Sequence, residues 1–261
     1  MKSTRSPLTI TLAVWHALLM REALSRLFSK RAAWAWLLLE PAVHLAFMVF
    51  IFTVIRVRHV GGIDTALWLM VGMLGFFLFR RTGTQGANAI GANRTLFTYR
   101  QVKPVDTVLV RVVLEGLVML MVAVLILSAA GLLGLSSLPS DPLAVMEATV
   151  GLWLLGVGFG LVVSVLKELV AEVDNILDMV MKPMYLLSGV IVPLSAIPYP
   201  YREWLMYNPV AHGLEALRLG FAPYYHATPE LSMPYLYGWA LGLLFFGLLL
   251  QARFARKLTT Q

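Results

Sequence analysis

The 261-residue chain contains no cysteine, which removes disulfides, thiolate nucleophiles and cysteine-based metal sites from the range of chemistries open to it. Charged residues are also scarce, at 13% against roughly 25% in an ordinary soluble domain, so a water-facing globular surface cannot be built from it. A phosphate-binding loop is missing: Gly156, Gly158 and Gly160 lie inside an apolar run, with no following Lys-Ser/Thr and no strand context. The five histidines, His16, His44, His59, His212 and His226, show no metal-ligand spacing, and no serine stands in a nucleophile-elbow pattern. Hydrolysis of ATP is thereby excluded, and no catalytic residue and no metal site can be assigned.

What the chain has instead is apolar length. Hydrophobic residues make up 59% of it. They gather in six windows, 32–55, 63–79, 112–135, 143–166, 179–197 and 234–252, each near the roughly 20 residues that cross a hydrocarbon core of about 30 Å. The expectation is an all-α integral membrane protein with six transmembrane helices. The second and fifth windows are short or broken by Pro and Gly.

Basic residues alternate between the connections. Six precede the first span (Lys2, Arg5, Arg21, Arg26, Lys30, Arg31) and six lie in or beside the second connection (Arg80, Arg81, Arg94, Arg100, Lys103, Arg111). Lys167 and Lys182 flank the fourth, and Arg253, Arg256 and Lys257 follow the last span. Only Arg56, Arg58, Arg202 and Arg218 fall on the other side, so the positive-inside rule sets both termini in the cytoplasm. The net charge of +7 then reflects topology and anionic lipid, and gives no reason to invoke nucleic acid.

The start of the chain does not read as a cleaved signal peptide, because 8–20 carries Thr9, Thr11 and His16 and lacks a small-residue cleavage site. Leu8, Leu12, Trp15, Leu19, Ala23 and Leu27 repeat at spacings of three and four, which predicts an amphipathic N-terminal helix over 8–29 lying in the cytoplasmic interface. A helix that merely anchors the chain fits the same pattern. The organisation expected is a cytoplasmic N-terminus over 1–31, one membrane domain over 32–252 and a cytoplasmic tail over 253–261.

Three connections carry information. The stretch 80–106 mixes Gln85, Asn88, Asn93, Arg94, Tyr99 and Arg100 with small residues and can form a polar helix that leaves the membrane. Its Asn93-Arg94-Thr95 matches a glycosylation sequon, which a cytoplasmic placement discards. The stretch 167–178 is acidic where basic residues are usual, which fits a protein partner or a solvated helix end. The stretch 193–234 is too apolar for an aqueous loop, yet Pro198, Pro200, Pro209 and Pro223 break it too often for a span. A re-entrant helical segment before the last span reconciles these facts, since irregular backbone at membrane depth must be covered by protein or line a wet cavity.

Ionisable residues within spans are costly and mark candidate sites. Glu40 and His44 share a helical face beside Pro41, which can open a kink. Arg111 and Glu115 can pair at the same spacing, and Glu147 can reach the outer interface. Gly156 with Gly160, and Gly238 with Gly242, suit close helix packing within one subunit or at a dimer seam. Trp34, Trp36, Trp68, Trp204, Tyr235, Tyr237 and Trp239 suit interface anchoring, and some can stack on sugar faces.

The run from Leu96-Phe97-Thr98-Tyr99-Arg100 through Lys103-Pro104-Val105-Asp106, with Arg111 and Glu115, resembles the cytoplasmic segment of permeases of capsular-polysaccharide ABC exporters, the KpsM type. Ser188-Gly189-Val190, followed by Asn208-Pro209-Val210-Ala211-His212-Gly213-Leu214-Glu215-Ala216-Leu217-Arg218, is similar to the signature of ABC-2 class polysaccharide exporters. The resemblance implies a homodimer in the bacterial inner membrane, two copies of a separate ATPase (KpsT type) that binds ATP and Mg, a periplasmic co-polymerase or adaptor (KpsE type) and an outer-membrane channel. Its implied cargo is a lipid-linked acidic polysaccharide.

On this reading the coupling segment lies in 80–106, with Arg94, Tyr99 and Arg100 as ATPase contacts and Glu168, Glu172 and Asp174 as secondary ones. The expected substrate path includes Trp36, Glu40, His44, Phe76, Arg80 and Arg81. The expected outer gate is Asn208, Pro209, Glu215 and Arg218. Related export permeases for O-antigen, teichoic acid or a drug share these features, and an intramembrane glycan-processing enzyme is the alternative from another class.

Overall fold

The structure is a computed structural model that describes residues 7–28, 33–55, 59–99 and 101–260. Apart from one small hairpin it is helical. Helix α1 (Pro7–Phe28) and α2 (Ala33–Val54) lead to two-residue strands β1 (His59–Val60) and β2 (Ile63–Asp64), paired antiparallel with His59 opposite Asp64. Gly61 and Gly62 make the turn at φ of 57° and 92°, backbone that residues with a side chain rarely adopt. Next come α3 (Thr65–Ala87), the short α4 (Ala89–Ala92), a 3-10 turn at Arg94–Thr98, α5 (Pro104–Leu132) and α6 (Pro142–Leu169). Helix α7 (Val173–Leu187), a 3-10 turn at Leu194–Ala196, α8 (Tyr201–Met206), α9 (Pro209–Phe221) and α10 (Met233–Thr260) complete the chain.

Local sequence explains the boundaries. Pro104, Pro142 and Pro209 occupy the first helical positions, where a missing N–H costs nothing. Asp64, Asp141 and Asn208 cap α3, α6 and α9 by accepting from free backbone N–H groups. Among the described residues, α3, α5, α6 and α10 are long and apolar enough to cross a membrane, and α2 holds a shorter apolar stretch, Leu39–Phe52.

One window and one connection depart from expectation. The fifth does not run as one helix over 179–197: α7 stops at Leu187, where the Ser188 hydroxyl bonds Met184 O at 2.6 Å and Gly189 takes a φ of 77°. Helix α7 also starts earlier than the window, so 173–178 forms its first turns. The stretch 80–106 is not one projecting helix. Helix α3 carries Arg80 and Arg81 up to Ala87, and Asn93 then folds its amide back onto Ala89 O at 2.8 Å, which turns the chain.

Helix α6 stands at the centre, packed against α3, α9 and α10. Its Gly156 and Gly160 face Phe79 O, Thr82, Gly83 and Gly86 of α3, so this pair serves packing within the protomer. Gly238 and Gly242 differ: a methyl group added at either would meet nothing within 4 Å. Helix α9 presses close to α3 because Gly75 leaves room for Leu214 and Leu217. Buried Met73, Phe76, Leu152, Leu155 and Leu214 fill the space between these helices.

Candidate functional site

Polar side chains gather at three levels. At the end that holds α4, residues from the two stretches expected to contact an ATPase meet. Arg94 donates to Glu168 at 2.5 Å, and Lys167 at the end of α6 reaches both Asn88 and Asp174. Tyr99 is 65% exposed, and Glu172 is exposed where α7 begins. Arg100 lies outside the described residues.

Helix α1 packs beside this group, against α5 and α2. Its Trp15 indole donates to Asp106 Oδ1 at 2.9 Å, and the buried Glu22 accepts from Asn93 Nδ2 at 3.3 Å. Glu22 and Asp106 escape a reading of the sequence alone. The available signal was a carboxylate four residues after Leu18, on the same helical face.

At the middle level Arg81 joins two carboxylates, Glu40 at 3.3 Å and the fully buried Glu115 at 2.7 Å. Arg111 lies 3.7 Å from Glu22 and donates to Asn88 O at 3.2 Å. Arg111 and Glu115, which share a face at a spacing of four, thus each meet an opposite charge on another helix, Glu22 of α1 and Arg81 of α3. His44 Nε2 lies 3.2 Å from the Tyr185 hydroxyl, and Tyr185 also meets Phe76 ring to ring at 5.2 Å. Of the six path residues, the structure links Glu40 with Arg81, and His44 with Phe76 through Tyr185. Phe76 is enclosed in the protomer, whereas Trp36 and Arg80 stand exposed. Tyr185 carries no sequence signal, since it sits in an ordinary apolar run.

The third level is built around α9. Asn208 caps the helix through Oδ1 and donates from Nδ2 to Ser188 Oγ at 2.8 Å, fastening the end of α7 to the start of α9, where Pro209 follows. Glu215 and Arg218 are fully buried and paired at 3.1 Å. The guanidinium carbon lies 3.9 Å above the Trp68 ring, in a slot that Gly72 leaves open. Glu215 also accepts from the Tyr225 hydroxyl at 2.9 Å and from Thr228 N at 3.2 Å, so both oxygens are satisfied.

His212 is held in the same way, with Nε2 at 2.7 Å from Met206 O and Nδ1 accepting from Ser232 N at 2.9 Å. In the nearby loop Arg202 grips Glu230 with contacts of 2.7 to 3.1 Å. Burial works to raise the Glu230 carboxyl, but the Arg202 hydrogen bond and charge outweigh it and hold the group below the usual carboxylate range. Trp68, Tyr225 and Thr228 were not legible as members of this cluster, because they reach it from elements distant in sequence.

Chemically, this arrangement can hold helices in register and offer polar contacts. Among the described residues no group of three His, Asp or Glu side chains could hold a metal ion. Two large cavities, of about 660 and 810 Å³, are lined mainly by apolar side chains, one between α7, α9 and α10 and the other between α3, α5 and α6.

A family model described as ABC-2 type transporter matches residues 13–222. The chain is 32% identical over 246 residues to the polysialic acid transport protein KpsM of Escherichia coli, covering 94% of this chain and 95% of that protein. It is 28% identical over 257 residues to the capsule polysaccharide export inner-membrane protein CtrC of Neisseria meningitidis serogroup A, covering 97% and 96%. It is 25% identical over 260 residues to the capsule polysaccharide export inner-membrane protein BexB of Haemophilus influenzae, covering 98% and 97%.

Proposed function

Because this chain belongs to the ABC-2 type transporter family, in its KpsM-type branch, we propose that it is the membrane subunit of a capsule-polysaccharide exporter in a bacterial inner membrane. The observation that carries this reading is the match to a polysialic acid transport protein over 94% of the chain, which spans the cytoplasmic segment and the α9 cluster alike. The subunit moves a lipid-linked acidic glycan from cytoplasm to periplasm and is itself no enzyme. Two copies of a separate ATPase of the KpsT type supply the work, and ATP and Mg bind there. A KpsE-type adaptor and an outer-membrane channel continue the route.

In this reading α2, α3, α5, α6, α7 and α10 are six spans with both termini cytoplasmic, and 193–234 re-enters the outer leaflet. The segment from Asn88 to Arg100 docks on the ATPase, with Glu168, Glu172 and Asp174 beside it. The path runs between two protomers of a homodimer. The support is physical: the cavities within one protomer are apolar, and a hydrated acidic polymer cannot cross such walls without large desolvation cost. Trp36, Glu40 and Arg80, exposed on one protomer, are the groups a path between protomers can reach, and Asn208, Pro209, Glu215 and Arg218 brace its outer end.

The test is copurification of the chain with a KpsT-type ATPase, followed by ATP turnover in vesicles with and without the acidic glycan. Turnover that rises with the glycan, together with crosslinking of nascent polymer to probes at Trp36 and Glu40, is the expected result. Activity without any ATPase, or stimulation by a drug and by no glycan, overturns it.

A further inference from the structure

Helix α1 does more than rest on the membrane. A helix that only anchors the chain turns its apolar side to lipid and its charges to water. Here Glu22, only 7% exposed, faces protein, while Leu12 and Leu24 are turned outward. A buried carboxylate costs several kcal/mol unless it is paired and hydrogen-bonded, so its partners report what the helix is held against.

Beside Arg21 of its own helix, Glu22 meets Asn93 and Arg111, and together with the Trp15 bond to Asp106 these contacts mark the two ends of one loop. Asn93, 1% exposed, begins the loop: its Nδ2 donates to Glu22 at 3.3 Å and to Ala89 O, and its Oδ1 accepts from Arg21 of α1. Asp106 closes the loop: one oxygen accepts from Trp15 of α1 at 2.9 Å, and the other accepts from Lys103 N at 3.1 Å. Arg111, one turn further along α5, lies 3.7 Å from Glu22. Between the two clips Phe97 packs on the core and Arg94 meets Glu168 of α6, while the side chains of Arg94 and Tyr99 stay exposed. One helix therefore grips both ends of the loop and leaves its tip to a partner.

We propose that α1 is a brace that sets the angle of the loop from Asn93 to Asp106, with Glu22 and Trp15 as positioning residues for energy transfer from the ATPase. This rests on the proposed docking of that loop on a separate ATPase. A push on an unbraced tip bends the loop, whereas a push on a loop clipped at both ends moves α1 and α5 together.

The experiment uses the full permease and ATPase complex in proteoliposomes and reads glycan exported per ATP hydrolysed. Glu22→Ala lowers that ratio about tenfold, within the usual range of coupling between sites, while membrane content and bound ATPase stay unchanged. Glu22→Gln, which keeps an oxygen for Asn93, restores part of the ratio. Trp15→Phe, which keeps the ring and deletes only the donor to Asp106, lowers it less, and decides the matter should Glu22→Ala fail to accumulate.

Since the chain has no cysteine, Met20→Cys with Thr95→Cys gives two unique spin-label sites, and both positions are exposed. Their distance stays constant between nucleotide-free and vanadate-trapped complexes, and spreads when Glu22→Ala is added. Normal export per ATP in both Glu22→Ala and Trp15→Phe, or a Met20 to Thr95 distance that changes through the cycle of the otherwise unaltered complex, overturns the brace. Failure of the unaltered permease to hold an ATPase instead overturns the docking itself, so the two failures are told apart.

Discussion

The charge clusters at the two ends of the molecule use the same chemistry in opposite settings. Around α9, Glu215 and Arg218 are fully buried, paired with each other and met by Tyr225, Thr228 and the Trp68 face. Around α4, two ion pairs keep one partner in solvent: Arg94 is half exposed against a buried Glu168, and Asp174 is exposed against a covered Lys167. A charge pair closed off from water has one acceptable arrangement, because losing either member strands the other in a low dielectric. A pair open on one side can trade its partner for water or for another protein at small cost. The first cluster is built as a fixed joint and the second as a joint whose charges can change partners.

The sharpest way to break this comparison is to remove one member of the buried pair. Arg218→Ala strands Glu215 beside Tyr225 and empties the slot over Gly72, at a cost of about 3–5 kcal/mol. The expected outcome is loss of folded, monodisperse protein from the membrane, read by fluorescence-detected size exclusion and thermal melting. Glu215→Gln combined with Arg218→Met removes both charges while keeping most of the volume, and should recover much of the loss. A single Arg218→Ala variant with unchanged melting would mean that the joint is not one.

At the other cluster the effect divides differently between stability and work. Breaking the Arg94 and Glu168 pair with a neutral Arg94→Gln removes an interaction of roughly 0.2–1 kcal/mol and should shift the melting temperature little. Arg94→Glu instead sets a like charge against Glu168, lowers the melting temperature further and abolishes ATP-driven export. Exchanging both charges, Arg94→Glu with Glu168→Arg, sharpens the point. If Arg94 contacts the ATPase, the local pair re-forms but export stays lost. If export returns, Arg94 works only by holding Glu168.

The contrast also explains what could be read in advance. Long apolar runs without strong punctuation, such as those in α5 and α6, were legible because length and hydropathy alone dictate them. The run over 179–197 misled, since Ser188 and Gly189 end α7 through two local events that a hydropathy window averages away. The Glu215 and Arg218 pairing was visible at its spacing of three because both groups ride one helix. Trp68, Tyr225 and Thr228 were hidden, as the fold alone carries them to that pair. The residues of 80–106 were recognisable as a polar stretch, but the contacts at Asn93 and Asp106 depend on α1, whose buried carboxylate looks like any surface glutamate in sequence.

Between these extremes lies the clasp from Arg202 to Glu230, half open to water and joined through both carboxylate oxygens. The folded Glu230 carboxyl titrates below its ordinary value, so the clasp contributes fully above about pH 4.3 and is lost as the pH falls through the lower folded value. Its small size, about 0.2–1 kcal/mol, makes global melting a poor probe. Hydrogen exchange of the segment from Ala222 to Ser232 is the suitable one, compared at about pH 7 and about pH 3.5 after correction for intrinsic rates. Exchange there should quicken at the acidic value, while the amides around the buried Glu215 and Arg218 keep their protection. Arg202→Ala should make the loop equally quick at both values, whereas equal slowing of loop and joint at every pH would erase the distinction between open and closed charge pairs.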